Sequence, residues 1–176
     1  MDTSYPALRI ENAAELMQVQ RGEQFEALFQ SHQAIVFKVA NTYCWRHDDR
    51  ADLAQEIVAQ LWRAWPRYDP ARSFTTWMYR IALNVAISFV RKEVRRREAS
   101  VPFDETAHDV AAEPDVSDRL RRLQSFIERQ APLDRALLLL YLEDRSQREI
   151  AEILGITATN VSTKINRLKQ KIRAEI

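Results

Sequence analysis

The stretch SQREIAEILGITATNVSTKINRLKQKIRAEI, Ser146–Ile176, has the pattern of two short helices joined by a tight turn. Ser146 and Glu149 form a capping-box pair, which fixes where the first helix begins. Gly155 permits a positive φ at the turn, and Thr157 is placed to cap the second helix. The pattern predicts a helix-turn-helix, a motif that binds duplex DNA. An ordinary helical hairpin is the alternative.

The second helix of this pair has an apolar stripe and a polar outer face. Apolar residues recur at helical spacing: Val161, Ile165, Leu168 and Ile172. The outer face carries short hydrogen-bonding side chains with cations behind them, which suits the reading of base edges in a major groove. The candidate DNA-reading residues are Thr159, Asn160, Ser162, Thr163, Lys164 and Arg167.

The composition favours an all-helical protein. Two glycines in 176 residues leave little material for hairpins or phosphate-binding loops. No apolar run approaches the roughly 20 residues that span a bilayer, and the N-terminus lacks an export signal. The single cysteine excludes an internal disulfide. We therefore expect a cytoplasmic all-α protein that is not inserted in a membrane and needs no cofactor.

The charge is unevenly distributed, although the formal net charge is only +1. Residues 80–97 carry six Lys or Arg against one Glu, whereas residues 98–118 carry seven Asp or Glu and no cation. Opposite local fields cancel in the sum, so the net charge hides possible nucleic-acid surfaces.

An acidic segment with two prolines, VPFDETAHDVAAEPDVS at residues 101–117, has no helical periodicity and predicts a flexible linker. It divides the chain into two small helical domains, residues 21–98 and 118–176, with an extension over 1–20 and the linker over 99–117. Helices are predicted over about 22–45, 49–65, 73–97 and 118–129, with an apolar helix through LDRALLLLYLED. The loop PRYDPAR separates the second and third of these helices.

The helix predicted within HDDRADLAQEIVAQLWRAW has one apolar side and one acidic side. Its inward stripe consists of Leu53, Ile57, Leu61 and Trp65, widened by Val58 and Trp62. Asp52 and Glu56 lie four residues apart on the other flank and repel each other. A basic partner outside the helix would compensate, but a solvated acidic face needs no partner, and the residues alone leave both alternatives open.

Two further chemistries are weakly indicated. Paired carboxylates could serve a hydrolase as acid and base, but no nucleophile, glycine-rich loop or ligand cluster accompanies them. Cys44 and His47 stand three residues apart as a zinc half-site would, yet no second pair exists at a suitable spacing. A buried thiol and a surface imidazole are the favoured interpretation.

The segment SFTTWMYRIALNVAISFVRKEVRRR predicts a helix with a core stripe and a second face that suits single-stranded nucleic acid. The core stripe is formed by Met78, Ile81, Val85 and Phe89. The second face combines an aromatic ring, an amide and guanidinium groups, which can stack a base and hold phosphates: Trp77, Arg80, Asn84, Arg91 and Arg95. The alternatives are a core position for Trp77 and a solubilising helix end for the arginines.

Three motifs together resemble the extracytoplasmic-function (ECF) sigma factors of bacterial RNA polymerase. They are DDRADLAQE, YDPARSFTTWMYRIALN and the terminal helix-turn-helix, and the resemblance extends from Phe25 to Ile172. It implies an alternative sigma factor without catalytic activity, whose partners are core polymerase (beta-prime clamp and beta flap), promoter DNA, and an anti-sigma factor or other regulator. A free-standing helix-turn-helix regulator that acts without core polymerase is the alternative.

The resemblance also implies residue roles. The beta-prime clamp would bind Asp48, Asp49, Asp52, Gln55 and Glu56. The minus-ten element would meet Arg72, Ser73, Phe74, Trp77, Arg80 and Asn84, with Arg91 and Arg95 on phosphates. The minus-thirty-five element would be read by the six outer residues of the last helix. Ser88, Asn160 and Ser162 depart from common residues of the family. The departure at Ser88 leaves the fold and the melting role intact, that at Ser162 bears on the promoter sequence, and that at Asn160 implies a different entry to the recognition helix.

Overall fold

The computed structural model describes residues 7–99 and 118–175, with side chains described over 20–96 and 122–175. Within these residues the chain forms helices and no strand, which confirms the all-α prediction. The helices are α1 Ala7–His32, α2 Ala34–Tyr43, α3 His47–Ala64, α4 Phe74–Ala99, α5 Asp118–Glu128, α6 Pro132–Leu142, α7 Gln147–Leu154 and α8 Ala158–Glu175, with a 3-10 turn at Trp65–Arg67. The predicted linker over 101–117 lies outside the described residues.

The N-terminal unit, α1–α4, is built around α2, α3 and α4. The apolar stripe predicted for α3 is confirmed at Leu53, Ile57 and Leu61, which have no solvent exposure. Trp62 was predicted to widen this stripe, and that prediction is wrong because the residue is 53% exposed. It lies about 100° further round the helix than Leu61, where it meets the Phe25 ring edge-on with the ring centroids 5.2 Å apart.

The single helix predicted over 22–45 is two helices in the structure. A turn at Gln33 separates them, and the Gln33 carbonyl accepts a hydrogen bond from the Val36 N–H at 3.0 Å. In the other direction, α1 passes through residue 20 without interruption. The backbone therefore has no break at the predicted boundary of the N-terminal extension.

The inward side of α4 differs from its predicted stripe. Met78 is buried as predicted, but Ile81, Val85 and Phe89 are only partly buried. The other fully buried positions are Tyr79, Ala82, Leu83 and Ala86. The reason is that α4 packs on α3 at one side and on α6 and α7 at another. Periodicity within one helix does not show that α6 and α7 also pack against it.

The C-terminal unit, α5–α8, contains the predicted helix-turn-helix in α7 and α8. The capping box is present, because the Ser146 hydroxyl accepts from the Glu149 N–H at 3.2 Å and the Glu149 carboxylate accepts from the Ser146 N–H at 2.9 Å. Gly155 ends α7 with a φ of 66°. The Thr157 hydroxyl then caps α8 by accepting from the Asn160 N–H at 3.2 Å. These local predictions are confirmed.

The two units pack against each other, so that their buried residues form one continuous core. At the contact, the Tyr43 hydroxyl donates to the Pro132 carbonyl at 2.6 Å, and Lys38 Nζ lies 2.5 Å from Glu143 Oε2. Tyr79 also reaches Glu143, with 3.4 Å between its hydroxyl and Oε2. Burial and the Glu143 carboxylate raise the pKa of Tyr79 to about 12. The sequence did not predict this docking.

Among the described helices, none is long and apolar enough to cross a membrane.

Candidate protein and nucleic-acid interfaces

The acidic face of α3 comprises Asp48, Asp49, Asp52, Gln55 and Glu56. Leu53, Ile57 and Leu61 of the same helix face the core, whereas all of the acidic face except the half-buried Asp49 is exposed. Asp52 has no ion pair in the described part of the chain. Glu56 accepts from Gln60 Nε2 at 2.8 Å and lies 4.0 Å from Arg63 Nη1. Such exposed pairs are weak, so these carboxylates remain available to an external cation.

The α3–α4 loop, which we define as residues 66–73, is folded by contacts to Asp69. The Ala71 N–H donates to Asp69 Oδ1 and the Arg72 N–H donates to the Asp69 carbonyl, each at 3.0 Å. Arg72 Nε lies 3.8 Å from Asp69 Oδ2. Ser73 then caps α4, because its hydroxyl accepts from the Thr76 N–H at 3.4 Å. Arg72 and Ser73 are both exposed at the end of this loop, where α4 begins.

Four aromatic rings form a cluster at the α3–α4 loop: Trp65, Tyr68, Phe74 and Trp77. Tyr68 stacks on Trp65 with ring centroids 5.1 Å apart and lies 5.0 Å from the ring of Trp77. The Trp65 Nε1–H donates to the Arg21 carbonyl at 2.8 Å, which ties the cluster to α1. Phe74 is only 8% exposed, so its ring faces the other rings rather than the surface.

Trp77 is partly buried, so it belongs both to the core and to the surface. Trp65 and Tyr68 were not among the predicted site residues. Four aromatic residues within thirteen positions were the available signal. Spacing within a loop does not show which rings contact each other, so the sequence did not predict the aromatic cluster.

The outward side of α4 continues from this loop as a polar strip. Arg80, Asn84, Arg91 and Arg95 are all exposed. Arg80 and Asn84 make no hydrogen bond or ion pair to another described side chain, whereas Arg95 Nε donates to the Arg91 carbonyl at 3.3 Å. An aromatic edge, an amide and guanidinium groups therefore lie along one side of the helix, as single-strand binding requires.

The outer face of α8 is narrower than predicted. Thr159, Asn160, Thr163 and Arg167 are exposed, but Ser162 and Lys164 are half-buried. Lys164 Nζ lies 3.6 Å from Asp134 Oδ1 on α6, so its charge is partly compensated within the unit. Both half-buried residues flank the buried stripe of α8, where α6 and α7 pack.

The zinc alternative finds no support in the described residues. Cys44 is buried at 6% exposure, while His47 is exposed at the start of α3. No group of three or more His, Cys, Asp or Glu side chains within the described ranges is arranged to hold a metal ion. The favoured interpretation of a buried thiol and a surface imidazole is confirmed.

Comparison with known proteins shows the family. Models of Sigma-70 region 2 and Sigma-70 region 4 match residues 28–96 and 120–172. The RNA polymerase sigma factor CarQ of Myxococcus xanthus is 32% identical over 125 residues, which cover 69% of this chain and 71% of CarQ. The ECF RNA polymerase sigma factor SigE of Mycolicibacterium smegmatis is 30% identical over 155 residues, and SigW of Bacillus subtilis is 24% identical over 176 residues. The chain belongs to the ECF group of the sigma-70 family.

This ECF sigma factor spans 60% of the length of SigE and 94% of that of SigW. Its fold is that of two solved relatives. One is RpoE of Bartonella quintana in complex with the anti-sigma factor NepR, with a TM-score of 0.71, 18% identity, and coverage of 86% of this chain and 96% of that one. The other is CnrH in complex with the cytosolic domain of CnrY, with a TM-score of 0.64, 22% identity, and coverage of 90% and 94%.

The two matched regions divide the candidate faces of this sigma factor between them. Region 2 contains the acidic face of α3, the α3–α4 loop and the polar strip of α4. Region 4 contains the capping box, the turn at Gly155 and the outer face of α8. The N-terminal and C-terminal units therefore correspond to regions 2 and 4.

Proposed function

We propose that this ECF sigma factor acts as a non-catalytic specificity subunit in the cytoplasm, where it directs core RNA polymerase to a small set of promoters and helps to open them. The observation that carries the proposal is the presence of regions 2 and 4 in one chain, with an exposed acidic face and an exposed cationic, aromatic face on different helices of region 2. A protein that only reads duplex DNA has no need of the first face.

The acidic face of α3 is proposed to bind the basic beta-prime clamp of core polymerase, while region 4 meets the beta flap. Asp52 and Glu56 repel each other on the free protein. Asp52 also lacks an internal cation among the described side chains, so a lysine or arginine of the partner would relieve this repulsion. The surrounding charges are exposed, and the interaction should therefore weaken as salt rises.

The α3–α4 loop and the polar strip of α4 are proposed to bind the minus-ten element, and on this proposal we refer to the loop as the promoter-facing loop. Arg72, Ser73 and the exposed part of Trp77 would receive an unstacked base, with Arg80 and Asn84 beside them. Arg91 and Arg95, further along α4, would hold phosphates. Phe74 is buried under the other rings, so we propose that it supports the loop rather than touching DNA.

The outer face of α8 is proposed to read the minus-thirty-five element. Its exposed hydroxyl and amide groups suit hydrogen bonding to base edges, and Arg167 suits a phosphate or a guanine. Ser162 and Lys164 stand at the edge of this face, where Lys164 would have to leave Asp134 to reach DNA. Much of the binding free energy would then come from core polymerase and the minus-ten contacts.

Run-off transcription with purified core polymerase on genomic promoter fragments tests this function. The charge reversal Asp52→Lys with Glu56→Lys should reduce core binding by at least ten-fold and abolish core-dependent transcription. The matched control is Glu23→Lys with Glu26→Lys, which makes the same charge change on the exposed side of α1. Equal core binding by both double variants, or specific promoter binding without core polymerase, would contradict the proposal.

Regulation by a protein partner is part of the proposal. The solved relatives RpoE and CnrH were each captured with a partner protein, in one case a named anti-sigma factor. We propose a partner of the same class for this chain. Affinity purification of the chromosomally tagged protein should recover such a partner, and recovery of core polymerase alone would contradict this part of the proposal.

A further inference from the structure

We infer that Tyr68 is the positioning residue of the promoter-facing loop: its hydroxyl holds the Arg72 carbonyl, and this bond sets the direction in which Arg72 and Ser73 face the minus-ten strand. The consequence for DNA rests on the proposed function. The consequence for the loop does not, and the two can be tested separately.

The bond itself closes the loop across its base. The Tyr68 hydroxyl donates to the Arg72 carbonyl at 2.8 Å, which is an ordinary length for a strong hydrogen bond of this type. Between the two residues, Asp69 organises only the tip, through bonds to the N–H groups of Ala71 and Arg72. The tip is therefore shaped by Asp69, while its attachment to the rest of region 2 depends on Tyr68.

The ring of Tyr68 is fixed well enough for its hydroxyl to act as a support. It stacks on Trp65 with an interplanar angle of 16°, meets Phe74 edge-on at 5.6 Å and lies 5.0 Å from Trp77. Trp65 is in turn tied to α1 through Arg21. Burial and the neighbouring Asp69 carboxylate raise the pKa of Tyr68, which keeps the proton on the hydroxyl.

The carbonyl of Arg72 is also the point where the loop becomes α4. Ser73, the next residue, caps that helix through Thr76, and its carbonyl accepts from the Trp77 N–H at 3.1 Å. Fixing the Arg72 carbonyl thus fixes the peptide that joins the loop to its helix cap. Arg72 and Ser73 are both exposed, so their alignment has no other support from packing.

Limited proteolysis of the free protein tests the loop directly, because trypsin cleaves the Arg72–Ser73 peptide, whose carbonyl accepts the bond. Tyr68→Phe keeps the ring and removes only the hydroxyl. We expect cleavage at this peptide to rise by roughly three- to ten-fold, the factor that one ordinary hydrogen bond is worth. Tyr141→Phe, an exposed tyrosine on α6, is the matched control and should leave the rate unchanged. An unchanged rate in Tyr68→Phe would overturn the inference.

Binding of single-stranded DNA by the complex with core polymerase tests the consequence. The probe is a non-template oligonucleotide selected by the wild-type complex from a random pool, together with the same strand made abasic at its most base-dependent position. Tyr68→Phe should weaken binding of the intact strand roughly three- to ten-fold and change binding of the abasic strand by less than two-fold. Core binding and the Tyr141→Phe variant should match wild type.

The outcomes separate positioning from a general loss of structure. Equal losses on the intact and abasic strands, or no loss on either, would overturn the positioning role. A wild-type complex that shows no base-dependent binding at all would refute the proposed function and the DNA consequence together. The proteolysis result would then still decide whether Tyr68 holds the loop.

Discussion

The docking of region 2 on region 4 can be tested at Glu143, the carboxylate that receives both Lys38 and Tyr79. Lys38 and Glu143 are 45% and 26% exposed, so the ion pair between them should contribute about 0.5–1 kcal/mol. Glu143→Gln also replaces a charged acceptor of the Tyr79 hydroxyl with a neutral one, at a cost of about 0.5–1 kcal/mol. The expected total is about 1–2 kcal/mol, while Lys38→Met should lose only the ion pair.

Urea unfolding followed by tryptophan fluorescence is the decisive measurement, because all four tryptophans lie in region 2. Glu143 belongs to region 4, so Glu143→Gln can shift the fluorescence midpoint only if region 4 stabilises region 2 through the contact. Circular dichroism follows the helices of both regions and should give the same midpoint in the wild-type protein. The double variant Lys38→Met/Glu143→Gln should show a coupling of about 0.5–1 kcal/mol.

The control for this experiment is Glu152→Gln, which neutralises an exposed carboxylate of α7. It should shift neither midpoint by more than a few tenths of a kcal/mol. If Glu143→Gln left the fluorescence midpoint unchanged while lowering the midpoint seen by circular dichroism, regions 2 and 4 would unfold independently, and the reasoning about docking would be refuted.

Three further predictions concern region 4 and the single thiol. Ser146→Ala should destabilise by about 1 kcal/mol at pH 7. Hydrogen bonds from Ser146 lower the pKa of Glu149, so this stabilisation is lost as the pH falls through that pKa. The difference in melting temperature between wild type and Ser146→Ala should therefore be smaller at pH 3 than at pH 7, and a larger difference would contradict the reasoning. Gly155→Ala should lower the free energy of unfolding in urea by about 1–2 kcal/mol. The cause is the positive φ alone, since no atom lies within 4 Å of an added Cβ. Gly155→Asn should lower it less, because asparagine adopts this conformation more readily than alanine. Burial raises the pKa of Cys44 to about 11, so Ellman's reagent at pH 8 should react only as fast as the protein opens, and rapid reaction of the native protein would contradict this.

The helix-turn-helix was predictable in detail because its determinants are local. The capping box, the glycine turn and the cap at Thr157 each depend on residues three or fewer positions apart. The stripe of α3 was predictable for the same reason, since one helical period decides which side is apolar. Its error at Trp62 shows the limit, because a pattern of apolar residues does not say how far the covering helices extend.

The exposed residues of the candidate site were predictable from the sequence, whereas the residues that hold them in position were not. Arg80 and Asn84 could be placed on an outer face from spacing alone. Tyr68 could not, because its role depends on which of the nearby rings contact it and on a bond to a carbonyl four residues away, neither of which the loop spacing shows. The half-burial of Lys164 likewise depends on Asp134, thirty positions earlier, which periodicity within α8 cannot reveal.

The docking contact and the candidate binding faces use different sides of the same helices. On α4, Tyr79 faces region 4 with 1% exposure, whereas its neighbour Arg80 is exposed on the strip proposed for the minus-ten element. On α3, the acidic face is exposed apart from the half-buried Asp49, whereas the region 2 side of the contact is carried by α2 and α4. A change at Glu143 therefore alters docking without altering any proposed contact to DNA or to the clamp. For this reason, a loss of transcription in Glu143→Gln would have to come from the relation between the two regions and not from a damaged binding face.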